Sequence, residues 1–165
     1  MLTGSLSRGR EYQGLSGGRR NGKKTMTLIS VYTREQAIED GVLIRFEDYV
    51  WAAGGVFGPQ GIRDDIEMVR GNEDAKFKLG EPVITPGAAN VLHVVDALNC
   101  LLRHQFGDWG EVCAEDRETN ERALKDGSRL VSVYEVEGKN GKGVRFYIIT
   151  EWNREATTIL LPEDY

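Results

Sequence analysis

The chain is poor in cysteine, proline and histidine: its 165 residues include two Cys, four Pro and two His. Two cysteines cannot form the several disulfides of a small secreted scaffold, so we expect the protein to fold in a reducing compartment. No apolar run approaches the ~20 residues of a membrane-spanning helix, so we expect no membrane span. The first 26 residues hold no apolar segment of signal-peptide length, which predicts a cytoplasmic location.

The charge of the chain is unevenly distributed. Residues 1–26 carry six basic side chains and one acidic one, with six glycines and few apolar residues, whereas residues 27–165 hold 15 basic and 25 acidic side chains. A glycine-rich, basic segment cannot bury enough apolar surface to offset its ordering entropy. We therefore predict a disordered basic tail at 1–26, followed by one domain at 27–165.

The first part of that domain, residues 27–82, opens on the apolar residues of 28–32, which predict a short strand. Thr33 and Gln36 have the spacing of a capping box, and Gly41 is suited to end a helix. These signals predict a short helix over residues 34–40. Alternation at Val42, Ile44 and Phe46 predicts a second strand.

The second part, residues 83–165, begins with two predicted helices. Pro86 suits a first helical turn, and Gly107 ends a long helix that follows it. A polar helix is predicted from about 114 to 125, ended by Gly127. The long helix presents apolar residues at three- and four-residue spacing, namely Val91, Val94, Val95, Leu98, Leu101 and Leu102.

After Gly127 the periodicity becomes twofold, which predicts strands. One strand runs from Leu130 to Val136, a hairpin loop occupies 138–143, and a return strand and a third strand at 156–161 complete an antiparallel meander. The sequence therefore predicts an α+β fold, in which helices pack on a C-terminal three-stranded antiparallel meander.

The two histidines and one cysteine offer the only metal-like pattern. On one continuous helix, His93, Cys100 and His104 would lie near one face, yet their spacing matches no zinc motif. We predict no metal, no cofactor and no assigned catalytic residue. The alternative is a small enzyme that uses His104 and Asp108 in acid/base chemistry.

The most distinctive stretch surrounds Trp109 and the acidic helix after it. Residues 108–126 contain seven acidic and three basic side chains. Such a segment is either a solvated helix face with acid/base pairs or a surface that attracts a cationic groove of another protein. Trp109 either packs as a core residue or stacks on a ligand. The predicted binding residues are Asp108, Trp109, Glu111, Glu115, Asp116, Glu118 and Glu121.

Several motifs look familiar. Arg103-His104, Gly107-Asp108-Trp109-Gly110, Ile149-Thr150-Glu151 and the ending Thr157 to Tyr165 resemble the C-terminal module of uncharacterised small accessory proteins of plasmids, phages and integrative elements. The resemblance covers residues 83–165, and residues 30–41 resemble the opening of such proteins. Members often continue Ile-Thr-Glu with Ala-Asp-Arg, whereas this chain has Trp152-Asn153-Arg154.

The resemblance implies a function by association only. A small acidic accessory protein is expected to bind a host protein complex, for example one that binds nucleic acid, and to inhibit restriction or CRISPR defence. We expect no direct contact with nucleic acid except through the basic tail. A replication-associated or structural module is a third alternative.

Overall fold

The computed structural model describes residues 33–53 and 71–165, together with Asp64, Glu67 and Val69. The predicted basic tail and the predicted strand at 28–32 lie outside these residues. In the described part of the chain, no helix is long and apolar enough to cross a membrane. The elements in chain order are α1 (Arg34–Glu39), β1 (Ile44–Arg45), α2 (Phe46–Ala52), β2 (Glu81–Ile84), α3 (Pro86–Val91), α4 (Val94–Gln105), α5 (Ala114–Asp126), β3 (Leu130–Glu137), β4 (Gly143–Thr150), β5 (Ala156–Leu160) and a closing 3-10 turn (Pro162–Asp164).

The sheet is five-stranded and mixed, with the strand order β1-β2-β5-β4-β3. The predicted three-stranded antiparallel meander is therefore wrong as a description of the sheet, although an α+β class is consistent with the structure. Strands β3, β4 and β5 do pair antiparallel in sequence. β2 then lies parallel to β5, and β1 pairs antiparallel with β2. Twofold periodicity does not reveal these last pairings, because they join segments far apart in the chain.

The predicted start of α1 and the predicted end of α5 are confirmed. The Thr33 side chain accepts the Gln36 amide, and the Gln36 side chain accepts the Thr33 amide, as a capping box requires. Gly127 ends α5 in the left-handed conformation, at φ 79°. The predicted strand over 42–46 is right only at Ile44 and Arg45, because residues 42 and 43 form a bend and Phe46 begins α2.

The single long helix predicted from Pro86 to Gly107 is also wrong, since Leu92 and His93 are extended and separate α3 from α4. The break is stabilised by distant partners. The Tyr49 hydroxyl donates to the Leu92 carbonyl at 2.7 Å, and the Lys139 amide donates to the Val91 carbonyl at 2.8 Å. Both carbonyls are thus satisfied outside the helical pattern.

The main core lies between the sheet and the helices α2, α3 and α4. Side chains of alternate strand positions face these helices, as the burial of Tyr134, Phe146 and Ile148 shows. A smaller cluster of Trp109, Ala123 and Leu130 joins α5 to the β3 end of the sheet. This cluster places α5 beside an edge of the sheet.

Candidate functional site

Helix α5 carries the acidic surface that the sequence predicts. Its buried residues are Asn120 and Ala123, and the carboxylates of its first two turns are exposed. Glu115 and Asp116 lie in the first turn, where negative charge interacts favourably with the helix dipole. These two carboxylates therefore stabilise α5 itself, independently of any partner.

Asp108 lies before α5 and is already paired. Its Oδ2 atom accepts from Arg103 Nε at 2.7 Å, and its Oδ1 atom accepts from the Gly110 amide at 3.1 Å. The hydrogen bond from Arg103 is the main reason that the pKa of Asp108 lies below its ordinary value. In this arrangement Asp108 stabilises the turn that leads to Trp109.

Two more of the predicted binding carboxylates have partners within the protein. Glu111 lies 3.6 Å from Arg145 on β4, and Glu121 accepts the indole N–H of Trp109 at 3.0 Å. Three predicted carboxylates then remain without an ion pair or side-chain hydrogen bond inside residues 71–165. We call them the acidic face of α5: Glu115, Asp116 and Glu118.

Trp109 is completely buried. Its ring stacks on Phe77 and meets the ring of His104 edge-on, with centroids 6.1 and 5.6 Å apart. The structure therefore favours the interpretation of Trp109 as a core residue, and in this conformation its ring cannot stack on a surface ligand. Its place in the predicted contact surface is not supported by its position.

His104 is also fully buried, and both its ring nitrogens are occupied. Nδ1 lies 2.6 Å from Ser132 Oγ, and Nε2 lies 2.9 Å from Thr150 Oγ1. Thr150 Oγ1 is 2.7 Å from Thr157 Oγ1, and the Thr157 hydroxyl donates to the carbonyl of Leu79 at 2.6 Å. These residues form one hydrogen-bonded chain from α4 across β3, β4 and β5.

The Leu79 carbonyl at the end of this series decides which group donates in each of its hydrogen bonds. A carbonyl only accepts, so the Thr157 hydroxyl donates to Leu79 and its oxygen accepts from Thr150. The Thr150 oxygen then accepts from His104 Nε2–H, which leaves Nδ1 to accept from the Ser132 hydroxyl. His104 is thus a neutral ring protonated at Nε2. Burial, and secondarily the charge of Arg154, lowers its pKa to about 3.

The structure does not bring His104 and Asp108 together as an acid/base pair. The ring nitrogens of His104 bond to hydroxyls in the core, and the oxygens of Asp108 bond to Arg103 and Gly110 at the surface. A residue that accepts or releases a substrate proton needs a free, accessible atom. The buried His104 offers none, and the half-exposed Asp108 is held in an ion pair with Arg103.

The three potential metal ligands His93, Cys100 and His104 do not form a common site either. His93 is exposed at the break between α3 and α4, whereas Cys100 is buried and His104 has two protein partners. Among the described residues, no group of three potential ligands lies close enough to hold a metal ion.

Sequence reasoning missed two features near this surface. The hydroxyl partners of His104 were not singled out, because nothing in the local pattern links residue 104 to Ser132 or Thr150. It also gave no role to the free edge of β3, where Glu135 and Glu137 are exposed. Their twofold spacing was the available signal, since it puts both residues on one side of the strand.

The chain was compared with known families, curated proteins and solved structures, and no family model, curated protein or solved structure matches it.

Proposed function

We propose that this protein is a non-enzymatic binding protein whose acidic face on α5 contacts a positively charged surface of a host protein complex. The observation that carries the proposal is the state of Glu115, Asp116 and Glu118, which are exposed and unpaired within residues 71–165. Carboxylates that are already solvated and free of internal partners are available to a cationic partner without breaking a bond in the protein.

The arrangement of His104 and Asp108 supports binding over the enzyme alternative. Both ring nitrogens of His104 bond to hydroxyls in the core, and Asp108 is held in an ion pair with Arg103. No contact among the described residues favours chemistry at this pair, and none favours a replication-associated or structural role.

The partner class follows from charge. A complex that binds nucleic acid presents Lys and Arg along its groove, and such a groove attracts carboxylates as it attracts phosphates. Occupying the groove would block the nucleic acid. This is the proposed route to inhibition of restriction or CRISPR defence, in the cytoplasm of the host.

The test combines affinity purification from the native host with charge reversal. The variant Glu115→Lys, Asp116→Lys, Glu118→Lys is compared with a control triple of the same charge change placed elsewhere, at Glu39, Asp40 and Glu163, which are all exposed. We expect the α5 triple to weaken capture of the mass-identified partner by at least about tenfold, the effect of ~1.4 kcal/mol.

The control triple should retain capture, and raising the salt concentration should weaken capture by the unaltered protein. Urea unfolding checks that each variant folds, since exposed charges contribute little to stability. Equal capture by both triples and the unaltered protein contradicts the proposal.

A further inference from the structure

The outer edge of β3 is partly covered and partly open. β3 is the last strand of the sheet, so one row of its backbone N–H and C=O groups faces away from β4. The Val133 amide donates to the Trp109 carbonyl at 3.1 Å, and the Val133 carbonyl accepts the Glu111 amide at 2.7 Å. Val133 therefore points its backbone groups outward.

Outward groups recur at every second residue of an antiparallel edge strand. At Val131 they are satisfied by the Asn120 side chain, which donates to the carbonyl at 2.7 Å and accepts the amide at 3.0 Å. The loop before α5 and the helix itself thus cover the edge at Val131 and Val133, and the chain then turns away into α5.

The next outward positions are Glu135 and Glu137, which pair with Arg145 and Gly143 on β4. Their outward amides and carbonyls have no hydrogen-bond partner in the described part of the chain, and both side chains are exposed. Four backbone groups therefore stand open at the end of a strand whose neighbouring positions are all paired.

The negative charge beside this open edge favours a basic segment over a second copy of this chain as the added strand. Glu111, Glu135 and Glu137 lie along this edge, and Arg145 lies 3.6 Å from Glu111 and opposite Glu135 in the register. Two other nearby cations already have partners, since Arg117 donates to the Gly110 carbonyl and Lys139 Nζ to the Ala89 carbonyl. A second copy of the chain, paired edge to edge, would set glutamates beside glutamates, which is unfavourable. An extended segment bearing Lys or Arg at alternate positions would set opposite charges side by side.

We propose that the edge of β3 at Glu135 and Glu137 binds an extended, basic segment of a partner protein by adding it as a strand to the sheet. Main-chain hydrogen bonds to the open groups would provide the attachment, and alternate cationic side chains would provide the selectivity. The inference rests on the proposed function, since it describes how the cationic partner docks beside Glu111 and the acidic face of α5.

The experiment measures amide hydrogen exchange of the full chain by NMR, with a blocked peptide in which Lys alternates with Thr. We expect the amides of Glu135 and Glu137 to exchange rapidly in the free protein and to slow by at least about tenfold with the peptide, as newly formed ladder bonds require. The same peptide with its lysine amides N-methylated keeps the charge but loses the donors that would face β3, and it should give no protection. Protection of both amides in the free protein, or no change with the Lys-Thr peptide, overturns the proposal.

Two variants separate the backbone from the charge. Glu135→Pro removes the outward N–H at a position where an edge strand tolerates proline, whereas Glu135→Gln removes only the charge. We expect peptide binding to fall by at least about tenfold in Glu135→Pro and by about threefold in Glu135→Gln, the usual range for a lost hydrogen bond and a lost exposed ion pair. Glu137→Pro, at the last residue of β3, replaces Glu135→Pro if that variant does not fold.

Equal binding by the proline and glutamine variants overturns the inference. The partner captured from the host distinguishes this failure from failure of the proposed function. If capture depends on Glu115, Asp116 and Glu118 and survives Glu135→Pro and Glu137→Pro, the binding function stands and strand addition is wrong. If the α5 triple leaves capture unchanged, the proposed function itself is wrong.

Discussion

His104 shows how a residue with chemical potential is used for structure. Its ring joins α4 to hydroxyls on β3 and β4, and Thr150 and Thr157 extend the chain to the carbonyl of Leu79. Leaving any polar atom of this hydrogen-bonded series unpaired in the core would destabilise the fold. The neutral ring satisfies them without a buried charge, which explains a histidine at a fully buried position.

This arrangement predicts that His104 makes stability depend on pH. In the folded protein the pKa is lowered to about 3, from 6.5 in the unfolded chain. Between these values the unfolded chain binds the proton and the folded protein does not, so stability falls as the pH falls. We expect a contribution of about 1.4 kcal/mol per pH unit below pH ~6.

The measurement is urea unfolding from pH 7 to pH 4 of the unaltered protein and of His104→Gln. The variant should be less stable at neutral pH, because glutamine cannot reproduce both bonds, and the difference should shrink on acidification as the unaltered protein loses stability through its histidine. A difference that stays constant over this range contradicts a buried neutral ring.

Helix α5 and strand β3 depend on each other. The helix exposes its acidic face, and its buried Asn120 bonds to both backbone groups of Val131, as a neighbouring strand would. The loop before the helix continues this pairing through the parallel bridge between Gly110 and Val133. Covering part of the edge limits where another chain can pair with the sheet.

We expect Asn120→Ala to destabilise the protein by about 2–4 kcal/mol, because it leaves the amide and the carbonyl of Val131 without partners at a poorly solvated position. Thr119→Ala is the matched control, since Thr119 is exposed and its hydroxyl bonds only within its own helix, to the Glu115 carbonyl and the Arg122 guanidinium. Its cost should stay below about 0.5 kcal/mol. Equal unfolding free energies for the two variants, measured in urea, would show that Asn120 does not hold the edge.

The closing 3-10 turn after β5 contacts the connection between β2 and α3. Asp164 Oδ2 accepts the Thr85 hydroxyl at 2.5 Å and the Leu161 amide at 3.2 Å. Thr85 in turn caps α3, so one carboxylate links the closing turn after β5 to the connection between β2 and α3. Because β2 and β5 are parallel neighbours, this link closes the least local part of the sheet.

Asp164→Ala should therefore reduce the unfolding free energy by about 1–3 kcal/mol, as expected when hydrogen bonds to a charged group are lost. Glu163→Ala removes the adjacent exposed carboxylate and should change it by less than about 0.5 kcal/mol. Denaturant unfolding monitored by tryptophan fluorescence measures both. Similar values for the two variants would contradict the closing role of Asp164.

The sequence by itself determined the local elements of this protein. The capping box at Thr33, the stop at Gly127, the polar helix α5 and the β3-β4 hairpin all follow from contacts within a few residues, and all are confirmed. The exposed carboxylates of α5 were predicted for the same reason, because a helix period places them away from its buried residues.

The tertiary structure alone decided the sheet and the chemistry of the core. The break at Leu92 depends on Tyr49 and Lys139, and the place of β2 beside β5 depends on partners more than 70 positions apart. His104 is neutral only because Ser132 and Thr150 meet it inside the fold. Spacing within one segment cannot reveal such partners, since their separation along the chain is set by packing and not by the period of a helix or strand.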